Sequence, residues 1–168
     1  MVTRREILLA TAAGAAAAFA LALGTLRLFG PGAHAAGTET FEINRSKAEW
    51  KKLLTPEQYA VLREEDTERP FSSPLDKEKR KGTFTCAGCD LPLFNSETKF
   101  DSGTGWPSFY APIERAVDTR EEGVLGFYRT EVHCRRCGGH LGHVFNDGPK
   151  PTELRYCMNG MAMKFIPA

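Results

Sequence analysis

The stretch that decides the fold reads CRRCGGHLGH at residues 134–143. It opens with a Cys-x-x-Cys pair, Cys134 and Cys137, and a matching pair stands earlier at Cys86 and Cys89. Each pair places two thiols on one tight turn, and two such turns supply the four sulfurs of a tetrahedral site, the geometry that Zn²⁺ prefers. Because protein fills all four positions, the predicted site holds one structural zinc and leaves no open coordination for catalysis.

The wide separation of the two pairs predicts what the metal would connect. Forty-four residues lie between Cys89 and Cys134, so the site would join two distant hairpins rather than fold one small module. The competing interpretation is redox chemistry, since paired cysteines in an exported protein can form disulfides or act as dithiol catalysts. The paired spacing favours zinc, and disulfides remain the alternative.

The fifth cysteine, Cys157, has no partner at this spacing. It lies in the run Arg155-Tyr156-Cys157-Met158-Asn159-Gly160, with a guanidinium two residues before it and an amide two residues after it. Positive charge nearby favours the ionised sulfur, so Cys157 is a candidate reactive thiolate. A buried structural cysteine is the other interpretation.

Two histidines and a tryptophan are further candidates. His140 and His143 follow the second Cys-x-x-Cys pair, so a metal-bound turn there would fix the direction of their rings. They could be ligands of a second metal, satisfied core or surface groups, or proton donors aimed at a substrate oxygen. Trp106, on a loop with Gly103 and Gly105, is either a core residue or the flat wall of a pocket for a small apolar group such as an S-methyl.

The first 35 residues have the three parts of an export signal. Paired arginines at Arg4 and Arg5 precede an apolar run that ends near Leu28, and Ala33-His34-Ala35 offers a cleavage site. The arginine pair indicates the twin-arginine route of bacteria and a periplasmic location. An uncleaved membrane anchor is the alternative, but cleavage after Ala35 predicts no stable membrane association.

Cleavage would leave 133 of the 168 residues, enough to bury a single core. It would remove three arginines and one glutamate, so the formal charge would change from +1 to about −1. Such a chain lacks the basic excess that dominates nucleic-acid binding, so no nucleic-acid partner is predicted.

The mature chain divides into a leader, residues 36–45, and one domain, residues 46–168. Ser46 opens a helix that runs to Leu54, and Thr55, Pro56 and Gln58 form the start of a second helix with a capping box. Short strands are predicted afterwards at residues 82–85, 91–94, 99–100, 124–133, 141–145, 154–158 and 163–166. Two helices followed by many short strands indicate an α+β fold, mainly β, dominated by antiparallel sheet.

Several of these segments together resemble the methionine sulfoxide reductase B family. The similarity runs from about Trp50 to Pro167, nearly the whole mature chain. The matching motifs are Gly82-Thr83-Phe84-Thr85-Cys86-Ala87-Gly88-Cys89, residues 99–109, Val132-His133-Cys134-Arg135-Arg136-Cys137, residues 139–149 and residues 155–160.

The resemblance implies two antiparallel β-sheets with short flanking helices, a Cys₄ zinc remote from catalysis, and reduction of methionine (R)-sulfoxide in oxidised proteins. It implies that Cys157 is the nucleophile that attacks the sulfoxide sulfur and becomes a sulfenic acid. An acid, assigned to His143, would protonate the oxygen. The remaining roles carried over are that Trp106 holds the ε-methyl, that His140, His143 and Asn159 surround the sulfoxide, and that Arg155 supports the cysteine.

One departure from the family concerns regeneration. Many members carry a resolving cysteine between the glycines of the Ser-Gly-x-Gly-Trp segment, where this chain has Thr104. With four cysteines on zinc, no internal thiol would remain, so an external thioredoxin-like protein or small thiol is the predicted reductant of a monomeric enzyme. The alternatives are a non-catalytic zinc-ribbon interaction domain and a thiol–disulfide oxidoreductase that uses the Cys-x-x-Cys pairs.

Overall fold

A computed structural model describes residues 40–124 and 127–168, with only the backbone of Val124 and Phe127. The predicted export signal and the first four residues of the predicted leader, 36–39, lie outside the described residues. Within the described part of the chain, no helix has both the length and the apolar character needed to cross a bilayer.

The two helices begin where the sequence predicts. They are α1 (Lys47–Leu53) and α2 (Pro56–Glu64). At the start of α1, the Ser46 hydroxyl accepts the Glu49 N–H, and the Glu49 carboxylate accepts the Ser46 N–H at 2.8 Å. Thr55 and Gln58 form the same reciprocal pair at the start of α2. Each cap stabilises its helix by about 1 kcal/mol, which is why local sequence alone locates both starts.

In the described part of the chain, nine strands form two antiparallel sheets, which confirms the predicted fold class. The strands are β1 (Gly82–Cys86), β2 (Pro92–Asn95), β3 (Lys99–Phe100), β4 (Ser108–Phe109), β5 (Val117–Val124), β6 (Phe127–Cys134), β7 (His140–Phe145), β8 (Arg155–Met158) and β9 (Met163–Pro167). The smaller sheet has the order β2-β1-β9, and the larger one has the order β3-β4-β8-β7-β6-β5.

Two strands differ from the sequence prediction. The single strand predicted over residues 124–133 is the last residue of β5 followed by most of β6, and the rest of β5 was not predicted. β5 is the edge of the larger sheet and carries exposed charged side chains such as Arg120 and Glu121, which protect an edge but hide the apolar alternation of a strand. β4 lies in the segment predicted to be a Gly-rich loop, and pairing with β3 and β8 makes it a strand.

An aromatic cluster fills the space between the two sheets. Phe84 of β1 and Phe94 of β2 both contact Phe109 of β4, with ring centroids 4.9 and 4.3 Å apart. All three side chains are fully buried. Burial of a side chain of this size stabilises the fold by roughly 1.5–3 kcal/mol, so this cluster is a principal connection between the sheets.

The same cluster determines which side chains face away from the core. Phe109 of β4 lies opposite Tyr156 of β8, and Ser108 lies opposite Cys157 in the next pair of the ladder. Neighbouring residues of a strand point to opposite faces of the sheet. Because Phe109 and Tyr156 pack towards Phe94, Ser108 and Cys157 lie on the other face of the larger sheet.

The described end of the predicted leader packs against the domain. The Ile43 N–H donates a hydrogen bond to the Arg136 carbonyl at 3.0 Å, and the Phe41 ring meets the His133 ring edge-on at 5.8 Å. These contacts reach the turn between β6 and β7, which carries the second cysteine pair.

Candidate active site and metal centre

The four paired cysteines form one cluster, as predicted. Their sulfur atoms all lie within 4.8 Å of one another, with 3.7 Å between Cys86 and Cys137 and 3.5 Å between Cys89 and Cys134. A tetrahedron with metal–sulfur bonds of about 2.3 Å has sulfur–sulfur edges of about 3.8 Å, whereas a disulfide bond is about 2.05 Å long. The cluster therefore fits a single metal ion, and its geometry is that of thiols rather than disulfides.

The cluster connects the two sheets. Cys86 and Cys89 belong to the turn between β1 and β2 of the smaller sheet, and Cys134 and Cys137 belong to the turn between β6 and β7 of the larger one. Arg136 strengthens this junction, since its guanidinium donates to the Cys89 carbonyl at 3.3 Å. The four sulfurs thus come from two hairpin turns that are distant in the sequence, as predicted.

Cys157 lies in the middle of the larger sheet, beside several polar side chains. It is opposite His143 on β7 and opposite Ser108 on β4, so these three side chains share a face. The Thr104 hydroxyl is 4.0 Å from the Cys157 sulfur. Gly142 permits this close pairing, because a Cβ there would lie only 2.2 Å from the Cys157 carbonyl oxygen.

Two opposing influences act on the charge state of Cys157. Burial raises the pKa of the Cys157 thiol above its ordinary value and outweighs the lowering effect of Arg155. The Arg155 guanidinium makes two hydrogen bonds to Asp147, at 2.9 and 2.8 Å, and the negative charge of Asp147 acts against the influence of Arg155 on the thiol. The resting sulfur is therefore mainly a thiol at neutral pH, and a nearby base is needed to ionise it.

His143 is the basic group in register with that thiol. Burial lowers the pKa of His143, and its contact with Glu122, a 3.4 Å approach between Nε2 and Oε2, offsets this only in part. The imidazole is consequently neutral at neutral pH and can accept a proton. The His140 ring lies edge-on to it at 5.4 Å, so both predicted histidines reach the same region.

A fully buried carboxylate, Glu131, holds His140, and sequence reasoning missed it. Burial would raise the pKa of Glu131, but hydrogen bonds from His133, His140 and Arg120 lower it below the ordinary range. The ionised carboxylate only accepts, so His140 donates from Nδ1 at 2.9 Å. Within the described residues, the buried Nε2 of His140 has no hydrogen-bond partner. Nε2 is therefore the ring atom left for a substrate.

A second missed residue, Glu68, connects the tryptophan to the segment after Cys157. Its carbonyl accepts the Trp106 indole N–H at 3.0 Å, and its backbone N–H donates to the Asn159 amide oxygen at 3.0 Å. Its carboxylate accepts the backbone N–H groups of Gly160 at 2.7 Å and Met161 at 2.9 Å. One residue of the loop after α2 thus fixes two predicted site residues.

Asn159 is buried and held from both ends of its amide. The Nδ2 group donates to the Leu141 carbonyl at 3.3 Å, while the oxygen accepts from Glu68. One N–H of the amide stays unused by these contacts. This remaining N–H is the only group of the Asn159 amide that is left to donate a hydrogen bond to a substrate oxygen.

The structure thus groups the two histidines, Arg155 and Asn159 around Cys157 and connects Trp106 to them through Glu68. It gathers the four paired cysteines in a separate cluster. Glu131 had a signal in the sequence, a lone carboxylate between Thr130 and Val132 in a strand of β-branched residues. Glu68 had none, because all of its contacts are with the backbone or with residues distant in the chain.

Comparison with known proteins gives one family. A family model described as the SelR domain matches residues 54–167. The chain is 54% identical over 126 residues to the peptide methionine sulfoxide reductase MsrB of Leptospira interrogans, covering 74% of this chain and 96% of that protein. It is 56% identical over 128 residues to the protein of the same name from Pseudomonas putida, covering 75% and 96%. It is 56% identical over 124 residues to the protein of that name from Methanosarcina barkeri, covering 73% of this chain and 87% of that protein.

Proposed function

The chain belongs to the SelR domain family, and on that premise we propose that it reduces methionine (R)-sulfoxide in oxidised proteins to methionine. The observation that carries the proposal is the pairing of a thiol with a neutral imidazole, Cys157 opposite His143 in one ladder of the sheet. Glu68 connects Trp106 to Asn159, which is two residues after Cys157. These are the groups needed to ionise a sulfur and to bind an S-methyl and a sulfoxide oxygen.

The reaction begins with transfer of the Cys157 proton to His143, since burial keeps this thiol protonated at rest. The thiolate attacks the sulfoxide sulfur, and the protonated imidazole returns the proton to the sulfoxide oxygen. The hydroxyl then moves from the substrate sulfur to the Cys157 sulfur. The sulfur–oxygen bond of the substrate and the transient sulfur–sulfur bond both break, methionine leaves, and Cys157 becomes a sulfenic acid. The substrate sulfur gains two electrons, and the cysteine sulfur loses them.

The other side chains orient the substrate. The indole of Trp106 receives the ε-methyl, and the unused N–H of Asn159 donates to the sulfoxide oxygen. Nε2 of His140 accepts a hydrogen bond from that oxygen once His143 has protonated it. Arg155, held by Asp147 and stacked at 4.5 Å from the Phe145 ring, lowers the pKa of Cys157 relative to burial alone. Its positive charge favours the thiolate during attack.

We further propose that zinc fills the Cys86, Cys89, Cys134 and Cys137 cluster, one ion per chain. Four thiolates at tetrahedral spacing suit Zn²⁺, and the ion supplies a structural connection between the two sheets. With these thiols taken, an external thiol reduces the sulfenic acid. Its first sulfur forms a mixed disulfide with Cys157 and releases water, and a second thiol frees Cys157.

A designed internal thiol tests this regeneration. In Thr104→Cys, the new sulfur would lie near the position of the Thr104 hydroxyl, 4.0 Å from the Cys157 sulfur, on a loop flanked by two glycines. We expect one equivalent of substrate to convert this variant to an intramolecular disulfide, seen by peptide mapping. The wild type and the Thr104→Ser control should instead give an adduct with a sulfenic-acid reagent. A wild-type disulfide between Cys157 and another cysteine of the chain would contradict the proposal.

Epimer selectivity tests the function itself. With a small thiol as reductant, we expect turnover of methionine (R)-sulfoxide and at least about 100-fold less of the S epimer. The reason is geometric, because only one epimer can place its methyl on Trp106 and its oxygen towards the histidines. Reduction of each epimer is measured by chromatography of the product. Preference for the S epimer would overturn the assignment, and inertness towards both would favour a non-catalytic zinc-ribbon domain.

We also propose that residues 1–35 direct export by the twin-arginine route and that the mature enzyme works as a monomer in the periplasm. The arginine pair, the apolar run and the Ala33-His34-Ala35 site support this proposal. A route that carries folded proteins would allow metal loading in the reducing cytoplasm. The reductant would then be a periplasmic thioredoxin-like protein or a small thiol.

A further inference from the structure

Phe71 combines two unfavourable features in the loop after α2. Its side chain is 66% exposed, the second most exposed of the large hydrophobic side chains in the described part of the chain. Its backbone has a φ of 62°, in the left-handed region that bulky residues rarely adopt. Exposed apolar surface and backbone strain both cost stability, and such costs concentrate where a protein binds something.

The fold holds this side chain firmly in place. The Phe71 N–H donates to the Gly105 carbonyl at 2.7 Å. A Cβ at Gly105 would lie only 2.7–2.8 Å from the Phe71 backbone and ring, so glycine is required for the contact. Three residues earlier, Glu68 is bonded to Trp106 and Asn159. The loop is therefore fixed to the candidate active site at two residues, Glu68 and Phe71. The Phe71 side chain is a preorganised aromatic surface.

A cleft continues from this ring along the active-site loop. Phe71, Phe100 and Gly103 all line it. Gly103 adjoins Thr104, whose hydroxyl is 4.0 Å from the Cys157 sulfur. The charged groups of the cleft balance in number, three basic and three acidic: Lys77, Lys79, Lys99, Asp76, Glu78 and Asp101. The lining therefore favours neither sign of charge in a ligand, and the two aromatic rings offer it apolar contact area.

We propose that Phe71 and the cleft beside it bind the polypeptide that flanks the oxidised methionine, with an apolar side chain next to that methionine packed on the Phe71 ring. The inference rests on the proposed function and adds to it a preference for apolar residues next to the oxidised methionine of the substrate. Rigid aromatic rings supply contact area at low cost in conformational entropy. The occupant is a polypeptide segment because Gly103, which lines the cleft, adjoins Thr104 beside the reacting sulfur, so a chain that leaves a bound methionine can enter the cleft.

Three substrates test the proposal: a peptide with leucine on both sides of methionine (R)-sulfoxide, the same peptide with serine there, and the free amino acid. In Phe71→Ala we expect KM for the leucine peptide to rise about tenfold with kcat unchanged, because one apolar contact is lost. The serine peptide and the free amino acid should keep their wild-type constants. Phe71→Leu should recover part of the loss. Leu53→Ala, at a side chain 60% exposed on α1, is the matched control and should change nothing.

The outcomes separate this inference from the proposed function. Equal losses on all three substrates would overturn it, because Phe71 would then support the methionine pocket rather than the flanking chain. Unchanged constants for the leucine peptide in Phe71→Ala would overturn it while the proposed function stands. A wild type inert towards all three substrates would overturn the function and the inference together.

Discussion

Replacing Cys157 with serine is expected to reduce turnover of methionine (R)-sulfoxide by about 10⁴-fold or more. The hydroxyl has no accessible ionised form beside His143, and oxygen cannot take up the two-electron oxidation that forms a sulfenic acid. The loss should be in kcat, with substrate binding retained through Trp106, His140 and Asn159. Steady-state kinetics with saturating thiol measures the effect.

The control for this variant is its metal content and thermal stability. The Cys157 sulfur lies outside the four-sulfur cluster, so both properties should match the wild type. If Cys157→Ser kept more than about one hundredth of the wild-type turnover, Cys157 would not be the nucleophile. If turnover then depended on the Cys-x-x-Cys pairs, the thiol–disulfide oxidoreductase interpretation would take its place.

Replacing Cys86 with serine is expected to abolish metal binding and lower the unfolding temperature by more than about 15 °C. A structural Zn²⁺ contributes roughly 10–16 kcal/mol in small zinc domains, comparable with the whole stability of a domain at about 5–15 kcal/mol. Here the ion would join two sheets, and three thiols, those of Cys134 and Cys137 buried and that of Cys89 half-buried, would be left without a charge partner. Circular dichroism and native mass spectrometry measure the two effects.

The matched control is again Cys157→Ser, the same chemical change outside the cluster. An unfolding temperature that stays at the wild-type value after both Cys86→Ser and treatment with a chelator would contradict a structural metal. About one zinc retained per chain after mild oxidation would exclude disulfide chemistry at these pairs, and iron in its place would correct the metal identity. The same mass spectrum, taken on exported protein, tests cleavage after Ala35 through the loss of residues 1–35.

Local sequence was sufficient for the parts of the fold governed by short-range contacts. The starts of both helices follow from Ser46 and Thr55, because a capping box is complete within four residues. β5 was missed because its residues are polar and exposed, and they become a strand only by pairing with β6. Arg155 favours the ionised sulfur of Cys157, as its place in the sequence indicates. The larger opposing effect of burial and the contact of Arg155 with Asp147 are properties of the folded chain, which the sequence does not show.

The sequence by itself determined the chemical groups: four paired cysteines for a metal, one separate thiol, and the histidines, tryptophan and asparagine around it. Motif spacing fixes these, since it specifies residue types and turns. Only the tertiary structure decided their protonation, their neighbours and their orientation. Burial sets the proton on Cys157, ladder register sets His143 beside it, and Glu131 and Glu68 orient its neighbours from positions distant in the chain. Desolvation and long-range hydrogen bonds depend on which segments meet, and the folded structure alone specifies that.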